Sequence, residues 1–255
     1  MVKVIAFANQ KGGVGKTTSV INCGAGLAEQ GQRVLVIDMD PQAHLTAGQG
    51  VSPYKLDVTI YDVLRGEAKA ADVIIELEAA AGALHLLPAS IGLASAESDL
   101  LSEPGREYLL KEALQGIKDR YDYILIDCPP SLGILTVNAF TAADEIIIPL
   151  QTEYFALHGT RQLMQIIDKV KQRLNPGLHL AGVLITMLDS RNNIHSVIVE
   201  SIGKKFDNAV FKTIIRRNIA LVESPSFGQD IFKYKPASTG AKDYRSFVAE
   251  LLKVG

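Results

Sequence analysis

The chain has 255 residues, 47% of them hydrophobic and 21% charged, enough to bury one sizeable core in a single domain spanning 1–255 rather than two. No apolar run reaches the roughly 18 residues of a membrane span, the first strand begins with no room for a leader, and Cys23 and Cys128 lack metal or disulfide spacing. Those exclusions point to a cytoplasmic protein. The net charge of −2 hides an asymmetry: residues 1–160 carry 11 Lys and Arg against 20 Asp and Glu, residues 161–255 carry 15 against 8. A polyanion-binding surface on the C-terminal part and two unequally charged solvated faces both fit that division.

In chain order, short apolar runs predict strands at 2–8, 33–38, 84–88, 123–127, 145–150, 180–186 and 210–215. Amphipathic segments predict helices at 17–30, 60–64, 106–118, 160–174, 195–206 and 241–253. Residues 48–53 read as a surface loop, and Ser102-Glu103-Pro104-Gly105 as a turn before a helix. Several strands are near-continuous in Val, Ile and Leu, which suits a sheet buried on both faces. The alternation predicts an α/β fold, a doubly wound and mainly parallel sheet with helices on both faces. Ligands gather at the carboxyl ends of such strands.

The first strand ends in Asn9-Gln10-Lys11-Gly12-Gly13-Val14-Gly15-Lys16-Thr17-Thr18, and a helix follows. Strand, glycine-rich turn and helix form the setting of a phosphate-binding loop. Glycines let backbone N–H groups converge on an anion, and the helix N-terminus adds its positive dipole end. Lys16 would reach the β- and γ-phosphates, and the Thr17 hydroxyl would ligate Mg²⁺. The common pattern G-x-x-x-x-G-K-S/T needs glycine at position 10, where this chain has Gln10; a second lysine, Lys11, heads the loop instead.

Two further strand ends carry carboxylates. Asp38-Met39-Asp40-Pro41-Gln42 places two of them two residues apart, on one side of an extended chain. A carboxylate beside a γ-phosphate orients water or holds hydrated Mg²⁺; an Asp-Pro turn with Asp38 as a helix cap is the plainer alternative. Tyr123-Ile124-Leu125-Ile126-Asp127 reads as a Walker B strand, with Asp127 holding Mg²⁺ through water. Cys128 follows it, but Cys23 lies in the helix after the loop, so both read as buried thiols rather than cluster ligands.

The segment Lys11-Gly12-Gly13-Val14-Gly15-Lys16-Thr17 resembles the deviant Walker A loop of the ParA/MinD ATPases. Asp38-Met39-Asp40-Pro41-Gln42, Thr136-Val137-Asn138-Ala139, Pro149-Leu150-Gln151-Thr152, Gly182-Val183-Leu184-Ile185-Thr186-Met187 and Val222-Glu223-Ser224-Pro225 extend the likeness to the ParA/Soj-type partition ATPases, over nearly the whole chain. The resemblance implies an ATP-sandwich homodimer in which Lys11 crosses to the partner's nucleotide. It also implies that Asp40 positions the hydrolytic water, that Asp38 organises that water or the metal shell, and that Met187 lies near the base. It implies ATP and Mg²⁺ as cofactors, nonspecific duplex DNA as ligand, a ParB-type centromere-binding protein as activator, and a nucleoid-associated location.

Arg191 and Arg217 match DNA-binding positions of the Soj-like branch. Charge alone adds Arg216, Lys204, Lys205, Lys233, Lys235 and Arg245, each better explained singly as a solvated surface residue. Two departures stand out: Ile215-Arg216-Arg217-Asn218 where relatives read I-P-R-N, and Tyr234-Lys235-Pro236-Ala237-Ser238-Thr239-Gly240 where they read Y-D-P-R-S-x-G. They put the adenine contacts and the DNA surface, not the catalytic residues, in question. A MinD-type membrane ATPase and a ParA-like ATPase carrying another cargo share the same loop and carboxylates. The former requires a terminal amphipathic membrane helix, which Asp243 and Glu250 weaken here.

Overall fold

The computed structural model describes residues 2–152, 156–188, 201–206 and 209–254, without the side chains of 156–159 and 254. Its centre is an eight-stranded sheet in the order β3-β4-β2-β5-β1-β6-β7-β8. The strands are β1 (Lys3–Phe7), β2 (Arg33–Asp38), β3 (Ile75–Leu77), β4 (Ala83–Leu87), β5 (Tyr123–Asp127), β6 (Glu145–Gln151), β7 (His179–Leu188) and β8 (Val210–Arg216). All neighbouring pairs run parallel except β3 with β4. The expected α/β architecture with a mainly parallel sheet is what the chain adopts.

Alternation along the strands divides the core into two layers. Ala6 of β1, Ile37 of β2 and Ile126 of β5 face one side, where the helices Ile134–Ala142 and Ala156–Arg173 supply Phe140, Leu163 and Ile167. Phe7, Val36 and Leu125 face the other side, covered by the helix Lys16–Glu29 and the last helix, Thr239–Val254. The last helix packs closely: Tyr244 and Phe247 are fully buried, and Phe211 of β8 meets Phe247 edge to face.

The expected strands agree with the observed ones to within a few residues, and the helix at 60–64 coincides with Ile60–Leu64. The helix expected at 106–118 is shorter, Leu109–Gln115, because Gly105 turns the chain with φ 71° and Gly116 ends the segment. Several short elements were missed, among them the following three. Ile134–Ala142 is apolar on nearly every side and so lacks helical periodicity, His44–Gly48 is little more than one turn, and β3 is too short to show alternation. Of the helix expected at 195–206, residues 195–200 lie outside the described residues, while 201–205 are helical.

One close approach fixes how the β4 hairpin meets the end of the first helix. The Gly82 amide donates to the Ala28 carbonyl at 2.8 Å, and a Cβ at Gly82 would lie 2.2 Å from the Gln32 carbonyl oxygen. Gly116, by contrast, has φ −79° and nothing within 4 Å of an added Cβ. Gly82→Ala is therefore expected to destabilise by about 1–3 kcal/mol, because backbone must move. Gly116→Ala should be neutral or stabilising by up to about 1 kcal/mol. Urea unfolding of both variants checks the contrast.

Candidate functional site

The register across the sheet centre sets out the site. Phe7, Asp127 and Asp38 are paired neighbours at the carboxyl ends of β1, β5 and β2. The chain leaves β1 through Asn9, whose side-chain amide donates to the Pro149 carbonyl at 2.7 Å and whose Oδ1 accepts from the Lys11 amide at 3.0 Å. Gly13 and Gly15 take left-handed φ of 72° and 88°, which glycine adopts without Cβ strain. They turn the loop into the helix Lys16–Glu29, which begins with no side-chain cap and no acidic residue in its first turn. Its first N–H groups are thus left for an anion.

Other strands hold this loop. Thr186 on β7 donates to the Val14 carbonyl at 2.7 Å, and Gln151 on β6 donates to the Gly13 carbonyl at 2.8 Å and to the Met187 sulfur at 2.7 Å. The cleft above the loop has a volume of about 560 Å³. Gly12, Gly13, Gly15, Lys16, Thr17 and Thr18 form its floor, Asp40, Gln42 and His44 one side, and Met187, Pro225 and Ser226 another. Met187 has φ 55°, a left-handed conformation uncommon for a side-chain-bearing residue, and sits at the rim.

Most of the residues singled out from the sequence converge here, with instructive exceptions. Val14 is buried and does not line the cleft. Lys11 is exposed and does not line the cleft. Asp38 is fully buried and does not itself line the cleft. Its Oδ1 accepts from the Asp40 amide at 3.1 Å, and its Oδ2 accepts from the Thr46 amide at 2.8 Å and hydroxyl at 2.7 Å. A carboxylate engaged in this way organises the backbone around Asp40 and Thr46. Burial still pushes it up to about 6, those hydrogen bonds opposing the shift.

Asp127 is fully buried, and neither of its oxygens has a hydrogen-bond partner of ordinary geometry among the described residues. Burial, then the neighbouring Asp38, push it well above the carboxylate range, while the nearby Thr17 hydroxyl and Lys16 ammonium pull the other way. Such an orphaned carboxylate beside a threonine and an anion-accepting helix fits a hydrated Mg²⁺ bridging protein and phosphate. No three His, Cys, Asp or Glu among the described residues are arranged to hold a metal unaided. Asp40 lines the cleft, with Oδ1 accepting from the Gln42 amide at 2.9 Å. Cys23 and Cys128 are buried free thiols that burial pushes up, as expected.

The basic residues divide. Arg216 pairs with Asp243 of the last helix, donating from Nε and Nη2 and accepting no place in the cleft wall. Lys233 bonds to the Glu78 carbonyl and carboxylate, and Arg245 to Glu29. Arg216, Lys233 and Arg245, candidates from charge alone, are thus each paired with a carboxylate. Lys205 donates to the Thr160 hydroxyl. Arg217 and Lys235 are exposed, and Arg191 lies outside the described residues.

A doubly wound sheet whose central strand feeds a lysine-bearing glycine loop, flanked by strand-end aspartates, defines a phosphate-binding-loop nucleotide protein. Comparison narrows the class. Residues 2–180 match the family described as an AAA domain. Sporulation initiation inhibitor protein Soj of Bacillus subtilis (strain 168) is 46% identical over 255 residues, covering 100% of both chains. Chromosome partitioning protein ParA of Myxococcus xanthus (strain DK1622) is 45% identical over 251 residues, covering 98% of this chain and 88% of that one. A crystal structure of cobyrinic acid a,c-diamide synthase from Mycobacterium smegmatis, with bound ATP analogue and magnesium, superposes with TM-score 0.88 at 40% identity, covering 99% and 95%. The chain belongs to the ParA/Soj family of partition ATPases.

Asp127 gives a pH signature. Its raised position means the folded protein keeps a proton that the unfolded chain releases above about pH 4. The nucleotide-free fold therefore loses stability as pH rises from there. Asp127→Asn removes that charge without removing a hydrogen bond. It should weaken the loss of stability as pH rises above the ordinary carboxylate range, the raised Asp38 leaving a smaller dependence of the same sign. Urea titrations of both proteins at rising pH give the comparison.

Proposed function

We propose that the whole chain works as one Mg²⁺-dependent ATPase domain that switches DNA binding on and off for chromosome or plasmid segregation. The observation that carries this reading is the uncapped helix N-terminus at Gly15–Lys16, opening into a cleft beside Asp40 and the unpartnered Asp127. Lys16 would neutralise the β- and γ-phosphates, and the loop amides would orient them. Thr17, with Asp127 acting through water, would hold Mg²⁺, which supplies charge neutralisation along the phosphate chain. Asp40 would place the attacking water. Lys11, exposed and off the cleft wall, would reach across a homodimer to the partner's phosphates, as the family resemblance implies.

On this reading the ATP-bound dimer presents paired basic surfaces to duplex DNA, with Arg217, Lys235 and Arg191 as contacts. Hydrolysis stimulated by a ParB-type centromere-binding protein releases it. Differential affinity between the two nucleotide states is what any such switch needs. Nucleoid association in the cytoplasm follows. Arg216 and Lys233, engaged by Asp243 and Glu78, take at most a supporting part. The MinD-type alternative would place the last helix on a membrane, yet Tyr244, Phe247, Val248 and Leu251 are buried against the sheet. Among the described residues no helix is long and apolar enough to cross one. The likeness to a diamide synthase rests on a fold with an ATP and magnesium site, which this proposal shares.

The test is duplex DNA binding at fixed salt with no nucleotide, ADP, ATP, and ATP with Asp40→Ala, with anionic liposomes as parallel ligand. Binding to DNA only with ATP, persisting in the variant while turnover stops, is the expected outcome; ATP-dependent binding to liposomes alone would move the site to the MinD-type role. Arg217→Glu should leave ATP-dependent dimerisation intact and weaken DNA binding, with a shallower salt dependence by about one unit of slope per lost phosphate contact. Unchanged DNA affinity at matched salt would misplace the surface.

A further inference from the structure

Thr46 is a buried polar residue in the short helix His44–Gly48, whose neighbours His44, Ala47 and Gly48 line the cleft while Thr46 faces inward, fully inaccessible. Its hydroxyl donates to Asp38 Oδ2 at 2.7 Å and accepts from the Ala89 amide at 3.0 Å, so its orientation is fixed from both sides. Its own amide donates to the same Asp38 oxygen at 2.8 Å. Asp38 Oδ1 then accepts from the Asp40 amide at 3.1 Å. A continuous chain of hydrogen bonds runs from the segment after β4, through Thr46 and Asp38, to the backbone of Asp40.

That chain bears on Asp40 at a sharp point of the fold. The Asp40 carbonyl accepts from the Ala43 amide at 2.8 Å, and Ala43 has φ 51°, so the turn after Asp40 depends on its backbone being held. With Oδ1 engaged by the Gln42 amide, the direction of the remaining carboxylate oxygen follows from where that backbone sits. We propose that Thr46 is a positioning residue for Asp40: through Asp38, its hydroxyl fixes the angle at which the Asp40 carboxylate enters the cleft. The role rests on the reading of Asp40 as the group that places the attacking water.

Valine matches threonine in shape but lacks the hydroxyl, leaving Asp38 one donor short and the Ala89 amide without its acceptor. Serine keeps both bonds. The experiment compares wild type, Thr46→Val, Thr46→Ser and Asp40→Ala in three measurements: affinity for a nonhydrolysable ATP analogue, single-turnover hydrolysis of ATP with Mg²⁺, and amide exchange across residues 38–42 without nucleotide. Thr46→Val should keep its analogue affinity within about threefold while hydrolysis falls about tenfold or more, as misplacement of a reacting group does. Its Asp40 amide should exchange faster, and Thr46→Ser should recover both readouts. If the valine is not accommodated, Thr46→Ala, smaller and likewise without the hydroxyl, supplies the same three readings.

Hydrolysis by the valine variant within about twofold of wild type, serine as slow as valine, or unchanged exchange at Asp40 would each overturn the positioning role. Normal turnover in Asp40→Ala would instead overturn the water-placing reading. The exchange data still report Thr46's hold on Asp40 in that case, so the two failures are told apart.

Discussion

The register of three parallel strands, with Phe7 beside Asp127 and Asp127 beside Asp38, governs the rest of the cleft. It is maintained by ladder hydrogen bonds and by alternating apolar side chains that lock each strand between two helical layers. A one-residue slip of β5 would turn Asp127 away and put Ile126 at the strand end, reversing every side chain along the strand. Because both faces of the sheet are covered, such a slip would also expose core on both. The chemistry of the site thus inherits its precision from hydrophobic packing several residues away.

On that frame, two different physical devices shape the cleft. The loop is shaped by glycine: Gly13 and Gly15 enter left-handed conformations that turn backbone amides toward one point. It is then held by side chains from strands far off in the sequence, Thr186 and Gln151, which bond its carbonyls and leave its amides for an anion. The carboxylates are arranged oppositely. Asp38 accepts three hydrogen bonds, whereas neither oxygen of Asp127, the neighbour it repels, has a hydrogen-bond partner of ordinary geometry among the described residues. Two like charges brought together out of water are tolerated only when protonation or a cation relieves them. The site is therefore electrostatically unfinished on its own.

The sequence made the loop legible because its constraints are local: glycines, a lysine and a hydroxyl within seven residues can only be arranged in a few ways. Asp40 and Asp127 were legible because each ends an apolar strand. What was not legible depends on distance. Gln151 and Thr186 reach loop carbonyls 138 and 172 residues away, and neither residue type announces such a contact. Thr46 lies in no segment that periodicity or a motif marks out. Arg216 read as an added cation near the base until its partner, Asp243 on the last helix, came into view. Charge counted along a chain says little about charge presented to solvent, since opposite charges from separate helices cancel on contact.

The helix that follows the phosphate loop is completed by the last one. Ser19 and Tyr244, 225 positions apart, share a buried hydrogen bond, Glu29 pairs with Arg245, and Gly26 lies so near Val248 that a Cβ there would be 2.9 Å from it. Without Thr239–Val254 the helix after the loop keeps one apolar flank bare. Contacts of such long separation form late and slowly. The apolar flank of the phosphate-loop helix is thus covered only once a segment roughly 210 residues further along has docked, so the nucleotide domain closes through a contact that its own loop does not supply.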